Sequence, residues 1–475
     1  MISCTHSIIF SGFDTKKIIV QVSCNPGIPK MIISGLATRV VKESKERLIA
    51  CMKILGVKVK SYKTVINLIP TDLSKSQNHL ELAILAGLLQ NYQLIKNNQQ
   101  DCFIGSIGLD GELSPVKKIF ALVVAAKNEG FSRVILPSCD LSRVKMINGI
   151  KLIGINNITQ LLSGDYQQAC TNAAQFVIKP RISSISLEQV VGNQLAARAM
   201  QIAAAGNHHI LMTGPPGYGK TMLARSVESL MPPLDYETSL QVNARYSLAG
   251  LDDSPTLNPP FRMITSEIVL SCLVGNANLG KIGEFELAKN GVLFMDELNL
   301  FKSEVLSMIT QVLGEQRERF LLVATNNPCK CGYYGSSINR CSCSLWQRQL
   351  YQQKISGALW DRFELFVEVE ESVLNGSTSS QISINQIQKI KDKIAKVKEY
   401  YQEHQTTSIK DYFDQQQCFL SESSKKVIKK AQVNLKLSNR GLYKILQVAK
   451  TISLLEGQDS IVQDHLLEAL SYRKH

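Results

Sequence analysis

Gly214-Pro215-Pro216-Gly217-Tyr218-Gly219-Lys220-Thr221 is a complete GxxxxGK[ST] loop, and downstream Val292-Leu-Phe-Met runs into Asp296-Glu297. Together they predict a nucleotide triphosphatase. Glycines at 214, 217 and 219 let backbone N–H groups turn inward around phosphate oxygens. Lys220 supplies a point charge to the β/γ phosphates, and Thr221 offers a hydroxyl to Mg²⁺. The apolar run Ile210-Leu211-Met212 precedes the loop and a helix-forming stretch, Met222 to Glu228, follows it. This is the strand, loop and helix context that a phosphate cradle needs. Four apolar residues ahead of Asp296 read as a buried parallel strand whose end delivers two carboxylates. Asp296 would hold the metal, directly or through water, and Glu297 would polarise the attacking water. ATP and Mg²⁺ are the expected cofactors.

Cys329-Lys-Cys331 and Cys341-Ser-Cys343 carry a second chemistry. Four thiolates from a short loop fit tetrahedral Zn²⁺, and a closed four-sulfur shell would make the metal structural. Zinc ribbons usually space their ligands CxxC, so free thiols or a redox pair stand as the alternative.

These residues need elements to hold them. A chain of 475 residues suggests two to four domains, and an apolar fraction of 44% is enough for ordinary globular cores. The N-terminus lacks a basic region followed by an apolar run, and no apolar stretch reaches ~18 residues, so a cytoplasmic protein without a membrane partner is expected. Twelve cysteines in such a compartment are not a disulfide framework. A formal charge of +13 favours a polyanionic partner, nucleic acid before membrane.

Residues 1–165 alternate short β-like runs (Lys17–Val22, Thr64–Ile69) with helical patterns such as Val41–Leu55 and form an α/β unit. Within it Ile107–Leu113 predicts a hairpin with a two-residue Asp110-Gly111 turn, and Ile119–Asn128 then Val134–Pro137 a helix and a strand. The polar stretch 166–186 reads as a linker. A second α/β block, 187–370, has parallel-strand candidates at Ile210–Thr213, Val292–Met295, Phe320–Thr325 and Phe363–Val369. From 371 to 475 the chain reads as helical: Ile384, Ile387, Ile390, Ile394 and Val397 recur at helical spacing, with Lys389, Lys391, Lys393, Lys396 and Lys398 as a solvated face.

The strand Phe320–Thr325 ends in Asn326-Asn327-Pro328, a polar amide at a strand tip, where an AAA+ ATPase keeps its sensor-1 residue. Asn327, directly before the proline, matches that position. In Ile355-Ser-Gly-Ala-Leu-Trp-Asp361-Arg362-Phe363 an arginine stands immediately before the last strand, where AAA+ subunits present an arginine finger to the neighbour's nucleotide. Such a finger can be worth ~10³–10⁵ in rate and implies a ring. Arg440, in Ser438-Asn-Arg-Gly, fits the sensor-2 arginine that couples a lid to nucleotide state. A surface salt bridge is the alternative for each arginine.

The resemblance is closer than AAA+ in general. Gly35-Leu36 with Val41-Lys-Glu-Ser44, Val65-Ile-Asn-Leu-Ile-Pro70, Gly192-Asn-Gln194, the Gly-Pro-Pro-Gly loop, Gly283-Glu284, Asn290 to Glu297, Asn327-Pro-Cys-Lys-Cys-Gly332 and Asp361-Arg362 are similar to ComM/YifB-type proteins of the magnesium-chelatase-like AAA+ group over nearly the whole length. The resemblance implies an α/β fold class: an AAA+ P-loop core with a parallel sheet, a Lon-protease-like α/β N-terminal domain and a helical C-terminal lid. It implies a hexameric homo-oligomer, an ATP-driven motor on single-stranded or branched DNA that promotes branch migration in natural transformation. ComM-type proteins also carry the paired-cysteine pattern. Two departures stand out. Only Arg317-Glu318-Arg319 remain where the family has a longer pore hairpin, and Met263-Ile264-Thr265 replace a His-His pair. Where Lon proteases carry the nucleophilic serine, this chain reads His79-Leu-Glu81-Leu-Ala83, so Lys117 or Lys118 has nothing to activate and proteolysis is not expected. The competing readings are an ATPase subunit of a metal chelatase and a nucleotide-switched scaffold with weak hydrolysis.

Overall fold

Ile18, Val20 and Val22 are fully buried while Ile19 and Gln21 between them are only partly covered, the period-two pattern of a strand with one face on a core. The computed structural model, which describes residues 2–11, 14–28, 30–34, 38–57, 62–70, 78–96, 98–164, 167–168, 187, 192–251, 255–276, 280–315, 320–370, 384–403, 424, 427–428, 430–432 and 438–473, places them in a long strand, Asp14–Pro26. It pairs antiparallel with Ile2–Ser11, in register from Ile2↔Ser23 to Ser11↔Asp14. The mixed eight-stranded sheet runs in the order Gln167–Gln168, Lys151–Ile155, Arg133–Pro137, Asp101–Phe103, Ile2–Ser11, Asp14–Pro26, Tyr62–Ile69, Lys30–Ser34. Helix Glu81–Asn91 is buried over nearly its whole length. Ser3 and Thr5, facing it from the first strand, donate to Gly87 O at 2.6 Å and Ala83 O at 2.7 Å, which satisfies hydroxyls that burial would otherwise penalise.

The hairpin is present, with Ile107↔Leu113 paired, but its loop is longer than a two-residue Asp-Gly turn. Gly108 N–H still bonds Glu112 O at 2.8 Å, which leaves Leu109, Asp110 and Gly111 as the loop. Gly111 takes φ 80°, the left-handed residue that a three-residue hairpin loop requires. Of the segment read as a linker, Gln167–Gln168 form an edge strand against Ile153 and Gly154; residues 169–186 lie outside the described residues.

The compact units do not follow sequence order. The first comprises residues 1–179 together with 235–257 and 275–283; the second comprises 180–234, 258–274 and 284–475. Helix Tyr236–Leu248 therefore packs with the first unit. Asp235 caps it through a 2.9 Å bond from Thr238 N–H, and Leu240 is buried in the same cluster as Phe120. The Tyr236 hydroxyl accepts from Asn148 N–H at 2.6 Å and donates to Met146 O at 3.0 Å.

The second unit holds a five-stranded parallel sheet in the order Phe261–Ile264, Val292–Met295, Leu321–Asn326, Ile210–Thr213, Leu365–Glu368. All four strands expected from sequence are there. The fifth, Phe261–Ile264, lies at the edge. The central strands are buried on both faces, hence their continuous apolar runs. Helices Gln194–Gly206, Ile384–Glu403 and Asn439–Leu455 share one core, with Met200, Ile394 and Ile452 all at 0% exposure. Arg198 reaches Glu456, at the end of Asn439–Leu455, at 3.1 Å and Glu468, on the C-terminal helix Gln463–Ser471, at 2.9 Å. On Ile384–Glu403 most of the lysines are exposed, as their spacing predicts. Lys391 and Lys398 are half-buried, and Lys398 lies beside Met231 Sδ at 3.5 Å, where burial pushes its ammonium down to about 8. Among the described residues no helix is long and apolar enough to cross a membrane.

Candidate active site

Three adjacent parallel strands deliver the site from their C-terminal ends: Ile210–Thr213 feeds the glycine loop, Val292–Met295 feeds Asp296 and Glu297, and Leu321–Asn326 feeds Asn327. This is the end at which open parallel sheets bind ligands. The loop lies flush against its neighbour strand's continuation. A Cβ on Gly214 would stand 2.4 Å from Val369 O, so no other residue fits there without moving backbone. Gly217 and Gly219 sit at φ 85° and 79° with open space around them, conformations that aim backbone N–H groups into the loop and then begin helix Lys220–Leu230.

Lys220 is buried, and its ammonium donates to Gly214 O at 2.6 Å, Pro215 O at 2.8 Å and Asn327 Oδ1 at 3.1 Å. Burial pushes its pKa below the usual lysine range, against the pull of Asp296 and Glu297. Asn327 Nδ2 donates to Glu297 Oε1 at 3.3 Å. One amide thus spans the cation and the carboxylate, its oxygen toward the first and its nitrogen toward the second, the orientation in which both contacts are hydrogen bonds. Thr221 Oγ1 donates to Asp296 Oδ2 at 3.1 Å. A hydroxyl and a carboxylate oxygen in contact at the start of this helix are a donor set suited to Mg²⁺. Glu297 has φ 55°, left-handed for a residue with a side chain, and such strain collects where a side chain must be aimed.

The structure also brings in residues that the sequence does not announce. The Thr325 hydroxyl, fully buried, accepts from Glu297 N–H at 3.0 Å and donates to Asp296 Oδ1. It orients both acidic residues at once. Of the two asparagines, Asn326 turns away from Lys220: it is buried, accepts from Tyr351 OH at 3.3 Å, and its carbonyl takes Gly214 N–H at 3.3 Å. Thr325 looks like an ordinary β-branched core residue. Its sole signal is a hydroxyl two residues before Asn327 on the same strand.

The two arginines are not brought into this cluster. Arg362 is half-buried beside the end of helix Ser303–Val312, its Nη2 2.7 Å from where a Gly314 Cβ would stand, and its Nε has no partner among the described residues. Arg440 pairs through Nε with Asp361 Oδ2 at 3.3 Å, so it is tied to the residue next to Arg362. Lys444 on the same helix donates to Asp361 O and lies 3.4 Å from Glu364.

The four cysteines are brought together. Cys329 Sγ lies 3.3 Å from Cys331 Sγ and 3.7 Å from Cys341 Sγ, and all four sulfurs fall within 4.8 Å of one another. The backbone N–H of Tyr333 leads in pushing the Cys331 thiol below its ordinary range. Arg317-Glu318-Arg319, the shortened hairpin, lie outside the described residues. In the first unit, the Glu81 carboxylate is occupied by Ser44 Oγ at 2.8 Å, Arg47 Nε at 3.0 Å and Ile107 N–H at 3.1 Å.

The family description "Magnesium chelatase, subunit ChlI" matches residues 186–378, "Subunit ChlI of Mg-chelatase" matches 20–140, and "Magnesium chelatase, subunit ChlI C-terminal" matches 385–473. The competence protein ComM of Haemophilus influenzae is 30% identical over 97% of this chain and 95% of its own length. The chain belongs to the ComM/YifB-type, magnesium-chelatase-like family. YifB of Escherichia coli, an uncharacterized protein, is 28% identical over 99% of this chain and 97% of its own. The DNA repair protein RadA of Bacillus subtilis is similar over a shorter stretch, 35% identical across 83 residues and 18% of each chain. The magnesium-chelatase-like family is one of AAA+ ATPases, and the mixed α/β architecture with its parallel sheet fits it.

Proposed function

We propose that this ComM/YifB-type protein is an ATP hydrolase that works as a ring, probing and remodelling branched or single-stranded DNA and promoting branch migration during the uptake and recombination of DNA. The observation that carries the hydrolase reading is the chain of contacts Lys220–Asn327–Glu297 beside Thr221–Asp296, all at the ends of adjacent parallel strands. In it Lys220 and the 214–219 loop bind the triphosphate. Thr221 and Asp296 are the residues that would hold Mg²⁺, which neutralises phosphate charge when bound. Glu297, aimed by its own backbone strain and held by Asn327, orients and polarises the attacking water. Arg362, which stands outside the Lys220–Asn327–Glu297 cluster, serves the nucleotide of the neighbouring subunit, and Arg440 reports the position of the C-terminal helices through Asp361. Those helices act as the lid, and residues 1–165 are a Lon-like domain with a binding role. The DNA reading is supported by the similarity to a competence protein over nearly the full length of both chains and by the +13 charge.

ATP turnover is to be measured with no DNA, with single strands and with a four-way junction. Stimulation by junction or single strand is the expected result. Turnover that no DNA changes would contradict the motor while leaving the ATPase standing. The matched family description favours one second reading, an ATPase subunit of a metal chelatase. ATP-dependent metal insertion into a porphyrin with partner subunits, without any DNA effect, would establish it.

A further inference from the structure

The segment 329–343 contains neither helix nor strand, and Ile338 and Tyr334 on it are 67% and 48% exposed. It has no apolar core of its own to fix its path. Yet its sulfurs converge: Cys331 Sγ to Cys341 Sγ is 3.5 Å, and Cys331 N–H points at Cys343 Sγ at 3.4 Å. Tetrahedral zinc with Zn–S bonds of ~2.3 Å sets its sulfurs roughly 3.8 Å apart, close to the separations seen here. An N–H aimed at a thiolate is the usual outer support of such a site.

The same segment leans on the nucleotide site at three points. Only Pro328 separates Cys329 from Asn327. The bare face of Gly332 meets the loop so closely that a Cβ there would be 2.9 Å from Pro216 Cδ. Tyr218 OH and Ser336 Oγ are 3.1 Å apart. Just beyond Cys343, helix Leu345–Gln353 is capped by Ser344 and carries Tyr351, which holds Asn326 at 3.3 Å and takes Asn299 Nδ2 on its carbonyl at 3.1 Å.

We propose that Cys329, Cys331, Cys341 and Cys343 bind one zinc ion, and that this metal knuckle braces the 214–219 loop and Asn327, so that metal occupancy controls nucleotide affinity. The coupling rests on the ATPase reading above; the metal site does not. Coupling of this kind is reciprocal: zinc tightens nucleotide, and nucleotide tightens zinc by the same factor.

The test uses the full chain and no DNA, so its outcome is independent of the motor reading. Zinc per chain is measured by elemental analysis, and exchange into cobalt is followed by the thiolate-to-cobalt absorption of a tetrahedral site. Affinity for a fluorescent ATP analogue is then compared before stripping with an organomercurial and chelator, after stripping with the mercurial removed by thiol, and after zinc is returned. About one zinc per chain, a loss of nucleotide affinity of about fivefold or more on stripping, its recovery with zinc, and zinc release slowed by the analogue are expected. Cys343→Ser, whose position is remote in sequence from Asn327, should weaken both zinc and nucleotide. A chain without zinc and without the cobalt–thiolate band overturns the site. A stoichiometric zinc whose removal leaves folded protein with unchanged nucleotide affinity overturns the coupling. A chain that holds stoichiometric zinc but binds no nucleotide even before stripping upholds the metal site and sinks the ATPase reading, and the coupling with it.

Discussion

Replacing Thr325 by valine keeps the shape of a fully buried side chain and deletes one hydroxyl. That hydroxyl accepts from Glu297 N–H and donates to Asp296 Oδ1. Two effects follow. The Glu297 amide loses its partner, at about 1–3 kcal/mol for an orphaned group, and Asp296 loses a charge-assisted bond worth about 1.5–3 kcal/mol. Part of this loss is felt equally with and without nucleotide and lowers stability alone. The part that misaims Glu297 and Asp296 acts on the transition state. If that part is about 1.4–2.7 kcal/mol, kcat falls roughly 10–100-fold. KM for ATP should stay within about threefold, because Lys220 and the glycine loop are untouched. Thr325→Ser retains the bond pattern and should stay within about threefold of the parent in kcat. The assay is steady-state phosphate release alongside binding of a fluorescent ATP analogue. A valine variant with unchanged kcat, or one that loses nucleotide affinity while kcat is kept, would refute the role given to this hydroxyl.

Lys398→Met tests the buried ammonium. Its folded pKa of about 8 is below the ordinary lysine value of 10.5, so below pH ~8 the charged group costs the folded state its full penalty. Between those values the unfolded chain binds more protons and stability rises with pH. The methionine variant should therefore be more stable by about 1–3 kcal/mol at pH 7, with the gain shrinking to near nothing above pH ~10.5, as read from urea midpoints across pH. Gly214→Ala should weaken ATP-analogue binding by about fivefold or more, since its methyl would meet Val369 O at 2.4 Å and overpacking against backbone costs about 1–3 kcal/mol; unaltered binding would contradict the close approach. If DNA is the partner, the binding constant for single strands should fall by ~0.7 log units per log unit of salt for each phosphate neutralised. A flat salt titration would count against a basic DNA surface.

Much of the site was legible in the sequence because its signals are local. The glycine loop needs certain residues at fixed offsets, and an apolar strand ending in Asp296-Glu297 announces its own burial. What stayed hidden is what depends on neighbours distant in sequence. Thr325 passes for a strand-forming core residue until Glu297 and Asp296 are placed beside it. Tyr351 comes from a helix beyond the cysteines and cannot be assigned to Asn326 by spacing. Strand Phe261–Ile264 is four residues long and half-exposed, so it carries neither the alternation nor the apolar run that marks longer strands. Likewise nothing in Tyr236–Leu248 tells that it packs against Ile119–Asn128, because that contact spans more than a hundred residues. The hairpin at Ile107 was legible as a hairpin, and its turn was not: Asp110-Gly111 occurs in two- and three-residue loops alike, and the pairing of Gly108 with Glu112 decides between them. The lysines of Ile384–Glu403 read as a solvated face at 389, 393 and 396, whereas Lys391 and Lys398, which follow the apolar-stripe residues Ile390 and Val397, are partly covered at its edge.

The central claim is that one subunit's Lys220 and another's Arg362 complete a single active site. Lys220→Ala and Arg362→Ala chains, each assayed alone and then mixed, test it most directly. Each alone should be nearly inactive, whereas random mixing into rings places an intact loop against an intact arginine at roughly a quarter of the interfaces and should restore turnover. A mixture of exchanging subunits that stays as inactive as its components, or an Arg362→Ala chain that hydrolyses ATP at the parent rate, would contradict it.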